Sequence, residues 1–265
     1  MISRSQRIVF WGLVWLSVLM LSVPTIIVVG ASFTQGNMIA FPPDGFSLKW
    51  YEKIAMAHDL RQAFARSLIV SLICLAVSVP IGTLAGIALS RYRLRFAGAL
   101  QVYLLLPFTI PLIGSGIGMM LVFGQWGILG NVWPVGVASA VINLPFIIWS
   151  VSSSAAVIDP DLELAAESCG AGRVETFLHV TLPSVMPGVI TGGLLMFVLA
   201  MTEFLVSLLL TDARTVTLPV LIYNNIRSII TPDLAAVSSV FVVIALIAVW
   251  LLDRLVGLEI FLKSK

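Results

Sequence analysis

Few side chains in this sequence are of a type and spacing that could do chemistry. The densest group is ELAAESCGAGRVETFLHVTLP, from Glu163 to Pro183, where five acids in or just before the stretch (Asp159, Asp161, Glu163, Glu167, Glu175) face a single Arg173. It is a polar, small-residue interruption in nearly continuous hydrocarbon, so its chemistry is that of a surface read by another protein. Glu203 is the only acid placed well inside an apolar stretch. A charge near mid-bilayer costs about 2.5–3.5 kcal/mol on insertion scales, so Glu203 should face a cavity or a partner. There it would suit a cationic amine as a transient ligand; an ion pair with a neighbouring subunit or a place at the outer interface are its other readings. Ser115 has neither a His nor a carboxylate within its span. Gly114-Ser115-Gly116-Ile117-Gly118 misses both the nucleophile elbow and the dinucleotide fingerprint by position, and the chain has no phosphate-cradling Gly-Lys-Ser/Thr loop. We therefore expect no enzyme: no catalytic residue, no cofactor and no ATP hydrolysis by this chain alone.

The elements that must position these residues follow from composition. With 59% hydrophobic and 11% charged residues, the chain lacks the polar surface of a soluble domain and reads as an integral membrane protein. A span needs about 20 apolar residues. Six such stretches fit, at roughly 8–32, 67–90, 99–123, 133–156, 188–210 and 234–252, with a loop at 157–187. The expected fold is all-α and polytopic, one transmembrane domain over 1–265 with no segment long enough for a separate catalytic core. The first apolar run exceeds the 7–15 residues of a signal core and reads as a retained anchor.

Lys and Arg near span ends set the orientation. Nine lie on the N-terminal side (Arg4, Arg7, Arg91, Arg93, Arg95, Arg173, Arg254, Lys263, Lys265) and six on the other (Lys49, Lys53, Arg61, Arg66, Arg214, Arg227). Both termini and the Glu163 loop are thus expected in the cytoplasm. The net charge of +2 is split between two membrane faces and implies no nucleic acid. His58 and His179 fall on opposite sides, so no metal site is expected. Cys74 in a span and Cys169 in a loop cannot pair.

Asp161 or Asp159 can cap a helix from Leu162 to Cys169, which Gly170 to Gly172 would end. A second stretch from Arg173 to His179 is expected to stop before Pro183, giving two short helices that form a rigid knob. In the third span, LLLPFTIPLIGSGIG places Pro107, Pro111 and three glycines close together, so the helix must kink or open. It then either lines a route or makes a packing kink; Gly82/Gly86, Gly114/Gly118 and Gly188/Gly192 have the spacing that lets helices approach closely. In the loop 33–66, Leu48, Tyr51, Ile54 and Ala55 recur at helical spacing, as in an amphipathic helix on the outer surface, either a lid or a docking surface. Tyr223, Asn224 and Asn225 either line an entrance or are simply loop polarity.

The knob resembles the EAA loop of the membrane permease subunits of bacterial ABC importers: Glu-Ala-Ala, three residues, Gly, nine residues, Ile, any residue, Leu-Pro. Ala165, Ala166, Gly170, Val180 (for the Ile), Leu182 and Pro183 match. Leu164 stands where the family has Glu, with Glu163 one place earlier, which shifts or removes the family's acidic contact to the ATPase and leaves Glu163 or Glu167 to replace it. FPPDGFSLKWYEKI, MTEFLVSLLLTD and TLPVLIYNNIRSIITPDLAAVSSV further resemble the second, shorter permease of spermidine/putrescine-type importers. The resemblance implies the type I importer permease fold in a bacterial inner membrane. It also implies a second permease in a heterodimer, two ATP-binding subunits holding ATP and Mg, and a solute-binding protein outside. In such importers selectivity rests largely with the binding protein. Polyamines are the favoured solute here, with opines, aminophosphonates and other small polar cations or zwitterions open. The rival reading is a secondary transporter or channel subunit for small organic cations. The chain lacks the repeat symmetry and several intramembrane ionisable groups that a secondary transporter would carry, and a channel subunit would not require the docking loop.

Overall fold

In hydrocarbon every backbone N–H and C=O must be satisfied within its own segment, which leaves a chain of this composition little choice but helix. A computed structural model describes residues 4–92, 95–228 and 231–256; Arg93, Lys263 and Lys265, used above for orientation, lie outside the described residues. The helices are α1 (Arg4–Ala31), α2 (Lys49–Met56), α3 (His58–Arg91), α4 (Ala97–Thr109), α5 (Leu112–Gln125), α6 (Val132–Ala156), α7 (Asp161–Ser168), α8 (Arg173–Thr176), α9 (Leu182–Met201), α10 (Leu205–Leu210), α11 (Leu218–Ser228) and α12 (Pro232–Val256). A π turn, Phe177–Thr181, joins α8 to α9. Among the described residues, four helical stretches are long and apolar enough to cross a membrane: Val9–Ala31, His58–Arg91, Val132–Ala156 and Arg173–Met201. Two shorter apolar helices are Leu112–Gln125 and Pro232–Ile247.

Two expected spans are broken. The stretch 99–123 is two helices, α4 and α5, separated at Ile110 and Pro111. A proline forces the residue before it out of the helical region, and Ile110 is extended at φ −85°, ψ 129°. Pro107 remains inside α4. The stretch 188–210 is also divided, at Thr202–Phe204. Thr202 Oγ1 and the Thr202 N–H both donate to the Val198 carbonyl, at 2.9 and 3.1 Å, in the last turn before the break. α3 is longer than expected: it runs for 34 residues and takes in Arg61 and Arg66, which sequence placed in a loop.

The chain falls into two compact units. In the first (1–61 and 222–246), α1 is apolar and exposed around its circumference, as a helix bathed in lipid would be. α2 is the amphipathic helix expected after Phe33. Trp50 is buried and its Nε1 donates to the Thr34 carbonyl at 2.8 Å. Lys53 pairs with Asp233 of α12 at 2.8 Å, so α2 is tied to α12 within its unit.

In the second unit (62–221 and 247–265), the core forms where α3, α6 and α9 meet. Ile147 and Val151 of α6, Cys74 and Ile87 of α3, and Val185 and Met196 of α9 are buried together. Glycines permit the approach: a Cβ on Gly192 would stand 2.8 Å from Ile147, and one on Gly188 would stand 2.7 Å from the Ser150 carbonyl. A second cluster joins Val70, Phe123, Ile142, Val206 and Leu210 from α3, α5, α6 and α10. The Gly114/Gly118 pair expected to mediate packing meets nothing closer than Ile110, its own neighbour in sequence. Gly116 between them is the contact, 2.7 Å from Leu209 by the same measure.

Candidate functional site

The knob is built by two local devices. At its start, Asp159 Oδ1 accepts the Asp161 N–H at 3.0 Å, which pins the turn leading into α7. At the end of α7, the Ala171 N–H reaches back to the Ala166 carbonyl (3.1 Å) and the Gly170 N–H to the Glu167 carbonyl (3.0 Å). These paired bonds are a Schellman stop, which requires a left-handed residue after the cap. Gly170 supplies it with φ +92°. The spacing of Ala166 and Gly170 in the motif is thus the spacing of a helix stop.

Beyond the stop, the structure corrects one expectation. The second stretch does not end before Pro183: α8, the π turn and α9 form one continuous helical path through it. Pro183 has no N–H, and the wider π turn just before it lets the Leu182 N–H reach the Phe177 carbonyl, so the path crosses the proline without ending. Leu182 packs against the α3–α6–α9 core, half-buried Val180 lies in the π turn, and Pro183 is exposed. The knob is therefore rooted directly in α9.

Glu163 is half-buried and points inward. Its Oε1 accepts from Thr181 Oγ1 at 2.8 Å and lies 3.2 Å from Nη2 of Arg91, in the last turn of α3. Arg91 Nη1 donates to the Ile158 carbonyl at 3.3 Å. Neither Arg91 nor Thr181 was singled out from sequence. Thr181 occupies the motif's free position, and Arg91 gave no signal beyond its use in counting charge. Outward, the knob presents Leu162, Leu164, Val174 and Leu178, with Leu164 58% exposed, beside exposed Ala165 and Glu167 and half-buried Ala166. The position the motif reserves for an acid thus carries an exposed aliphatic side chain.

The expected pathway residues are not gathered into one site. Glu203 lies in the break between α9 and α10, where its Oε1 accepts the Val206 N–H at 3.0 Å and stabilises the start of α10. Pro111 immediately precedes α5 at the other break. Pro107 lies in α4. A cavity of about 390 Å³ opens beside this break, lined by Tyr103, Leu106, Ile110, Ser115, Met119 and Pro145 and mostly apolar. Tyr223 and Asn224 are on α11, in the part belonging to the other unit, where the Tyr223 ring lies 5.7 Å from the Arg227 guanidinium carbon.

Residues 78–257 match the family described as "Binding-protein-dependent transport system inner membrane component". The spermidine/putrescine transport system permease protein PotC of Haemophilus influenzae is 28% identical over 226 residues, 85% of this chain and 88% of that protein. The molybdenum transport system permease protein ModB of Mycobacterium bovis is 30% identical over 195 residues, 68% of this chain and 72% of that protein. A bacterial alginate ABC transporter, solved in complex with an alginate pentasaccharide-bound periplasmic protein, shares the fold with a TM-score of 0.68 at 17% identity, covering 95% of each chain.

Proposed function

The chain belongs to the family of binding-protein-dependent transport system inner membrane components, the permease subunits of ABC importers, and from that premise we propose that its knob, Asp161–Thr181, is where a partner ATPase docks. The observation carrying this reading is the build of the knob: a helix entered through a turn pinned by Asp159, a glycine stop and a helical path running without a break into α9. Glu163, Ala165, Ala166, Glu167, Gly170, Val180, Leu182 and Pro183 build or root it. Its exposed aliphatic face fits a socket.

The working unit is a heterodimer with a second permease, carrying two ATP-binding subunits that hold ATP and Mg and receiving solute from a binding protein outside. This chain forms half the pathway. It crosses the bacterial inner membrane six times, α4 with α5 making the third crossing, α9 with α10 the fifth and α12 the sixth. Both termini then lie in the cytoplasm with the knob. ATP and the loaded binding protein both favour the outward-open state, so each promotes engagement of the other through one reciprocal coupling free energy. Small polar solutes are carried, polyamines first among them, a reading supported by the likeness to PotC; the likeness to ModB makes an oxyanion the comparison to run. Glu203, at a helix break, is the acid placed to meet a cationic amine, and Pro107, Pro111, Tyr223 and Asn224 are the further pathway residues. The test is uptake into proteoliposomes holding the full complex, with ATP inside and binding protein outside. Spermidine should accumulate with ATP and not without it, and molybdate should not; ATP-independent accumulation would overturn the reading.

A further inference from the structure

In the knob the acid and the exposed face have exchanged places relative to the family pattern. Glu163 is turned inward, its side chain 28% exposed, and Leu164 is turned outward. The inward carboxylate meets Arg91, whose side chain is 15% exposed, and Thr181. One guanidinium–carboxylate pair therefore joins four pieces of chain: the last turn of α3, Ile158 before the knob, the first turn of α7, and the π turn feeding α9. By chain connectivity alone, the knob is attached only to α6 and α9. The pair adds α3, the third helix of the same core.

We propose that Arg91 and Glu163 form an internal strut, positioning residues that carry displacement of the knob into α3, and that Glu163 does not contact the ATPase. The proposal rests on the knob being the docking site. Three features support it. The Glu163 Oε1 is already engaged by Thr181. Arg91 is half-buried, its Nε and Nη2 are enclosed without a hydrogen-bond acceptor among the described residues, and among those residues Glu163 is the anion paired with it, so losing Glu163 removes the counter-ion of a largely desolvated charge. The outward position is aliphatic, so docking at that point is apolar contact instead of an ion pair.

The experiment uses the full complex with four versions of this chain: wild type, Glu163→Gln, Arg91→Glu, and the exchange Arg91→Glu with Glu163→Arg. Copurification of the ATPase, ATP hydrolysis and spermidine uptake are measured together, with trypsin cleavage at Arg173 followed in membranes containing the permease alone. Full ATPase copurification and hydrolysis are expected in the wild type and in the exchange, and any loss in a single variant should be restored by the exchange. Uptake per ATP should fall roughly tenfold in Glu163→Gln and recover in the exchange. Cleavage at Arg173 should quicken in both single variants and return to the wild-type rate in the exchange. Loss of ATPase copurification in Glu163→Gln that the exchange does not restore would overturn the proposal, as would unchanged uptake and cleavage in Glu163→Gln. If wild-type complex fails to take up spermidine, the assigned solute falls, and the cleavage rates and ATPase copurification still decide the strut.

Discussion

Gly170 is the residue on which the shape of the knob turns. Its φ of +92° lies where side chains other than glycine's are strained. Nothing lies within 4 Å of a Cβ added there, so the strain is backbone strain alone. Gly170→Ala should cost the end of α7 about 1 kcal/mol and slow transport modestly. Gly170→Pro cannot adopt this φ and deletes the N–H bonded to the Glu167 carbonyl, so it should abolish uptake while the chain still inserts, as read by uptake beside its level in the membrane fraction. Retained uptake with normal assembly would mean the knob need not be stiff. This residue was legible in the sequence, because a helix stop is written in neighbouring residues. The inward role of Glu163 was not. Its partner Arg91 sits on another helix, and no local pattern tells which of Glu163 and Leu164 a tertiary contact will draw inward.

At the scale of elements, helix–helix spacing separates glycines that look alike in sequence. Gly192 lies between α9 and α6, where an added Cβ would fall 3.0 Å from the Ile147 Cα, an atom that cannot swing away. Gly192→Ala should therefore destabilise the α3–α6–α9 core by about 1–3 kcal/mol. Gly118→Ala meets empty space within this chain and should leave the melting temperature of the purified protein unchanged. Equal melting temperatures for the two variants would remove the case for close α6–α9 packing. The small-residue spacing at 114 and 118 matched that at 188 and 192, but the side of α5 that faces α10 is decided by Gly116, a register that spacing alone does not specify. The two broken spans have a similar cause. Prolines in the third stretch advertised an opening, and the structure sets it at Ile110–Pro111. Thr202 gave no comparable signal, since Thr191 makes the same one-turn-back hydroxyl bond inside α9 without breaking it.

At the scale of the whole molecule, everything proposed for the knob requires it to stand on the side of the membrane where ATP is bound. The chain carries its own reporter. Among the described residues Cys169, at the end of α7, is exposed, and Cys74 is wholly buried in the core. An impermeant maleimide should thus report Cys169 alone, without engineered cysteines, and Cys169→Ala should abolish the signal. Labelling should be strong in inside-out vesicles and absent in intact cells. Adding the partner ATPase to inside-out vesicles should then slow it, because Cys169 is exposed at the end of α7, within the knob offered for docking. Labelling from the exterior of intact cells would place the knob on the wrong side for any ATPase to reach, and would remove the docking surface and the Arg91–Glu163 strut together.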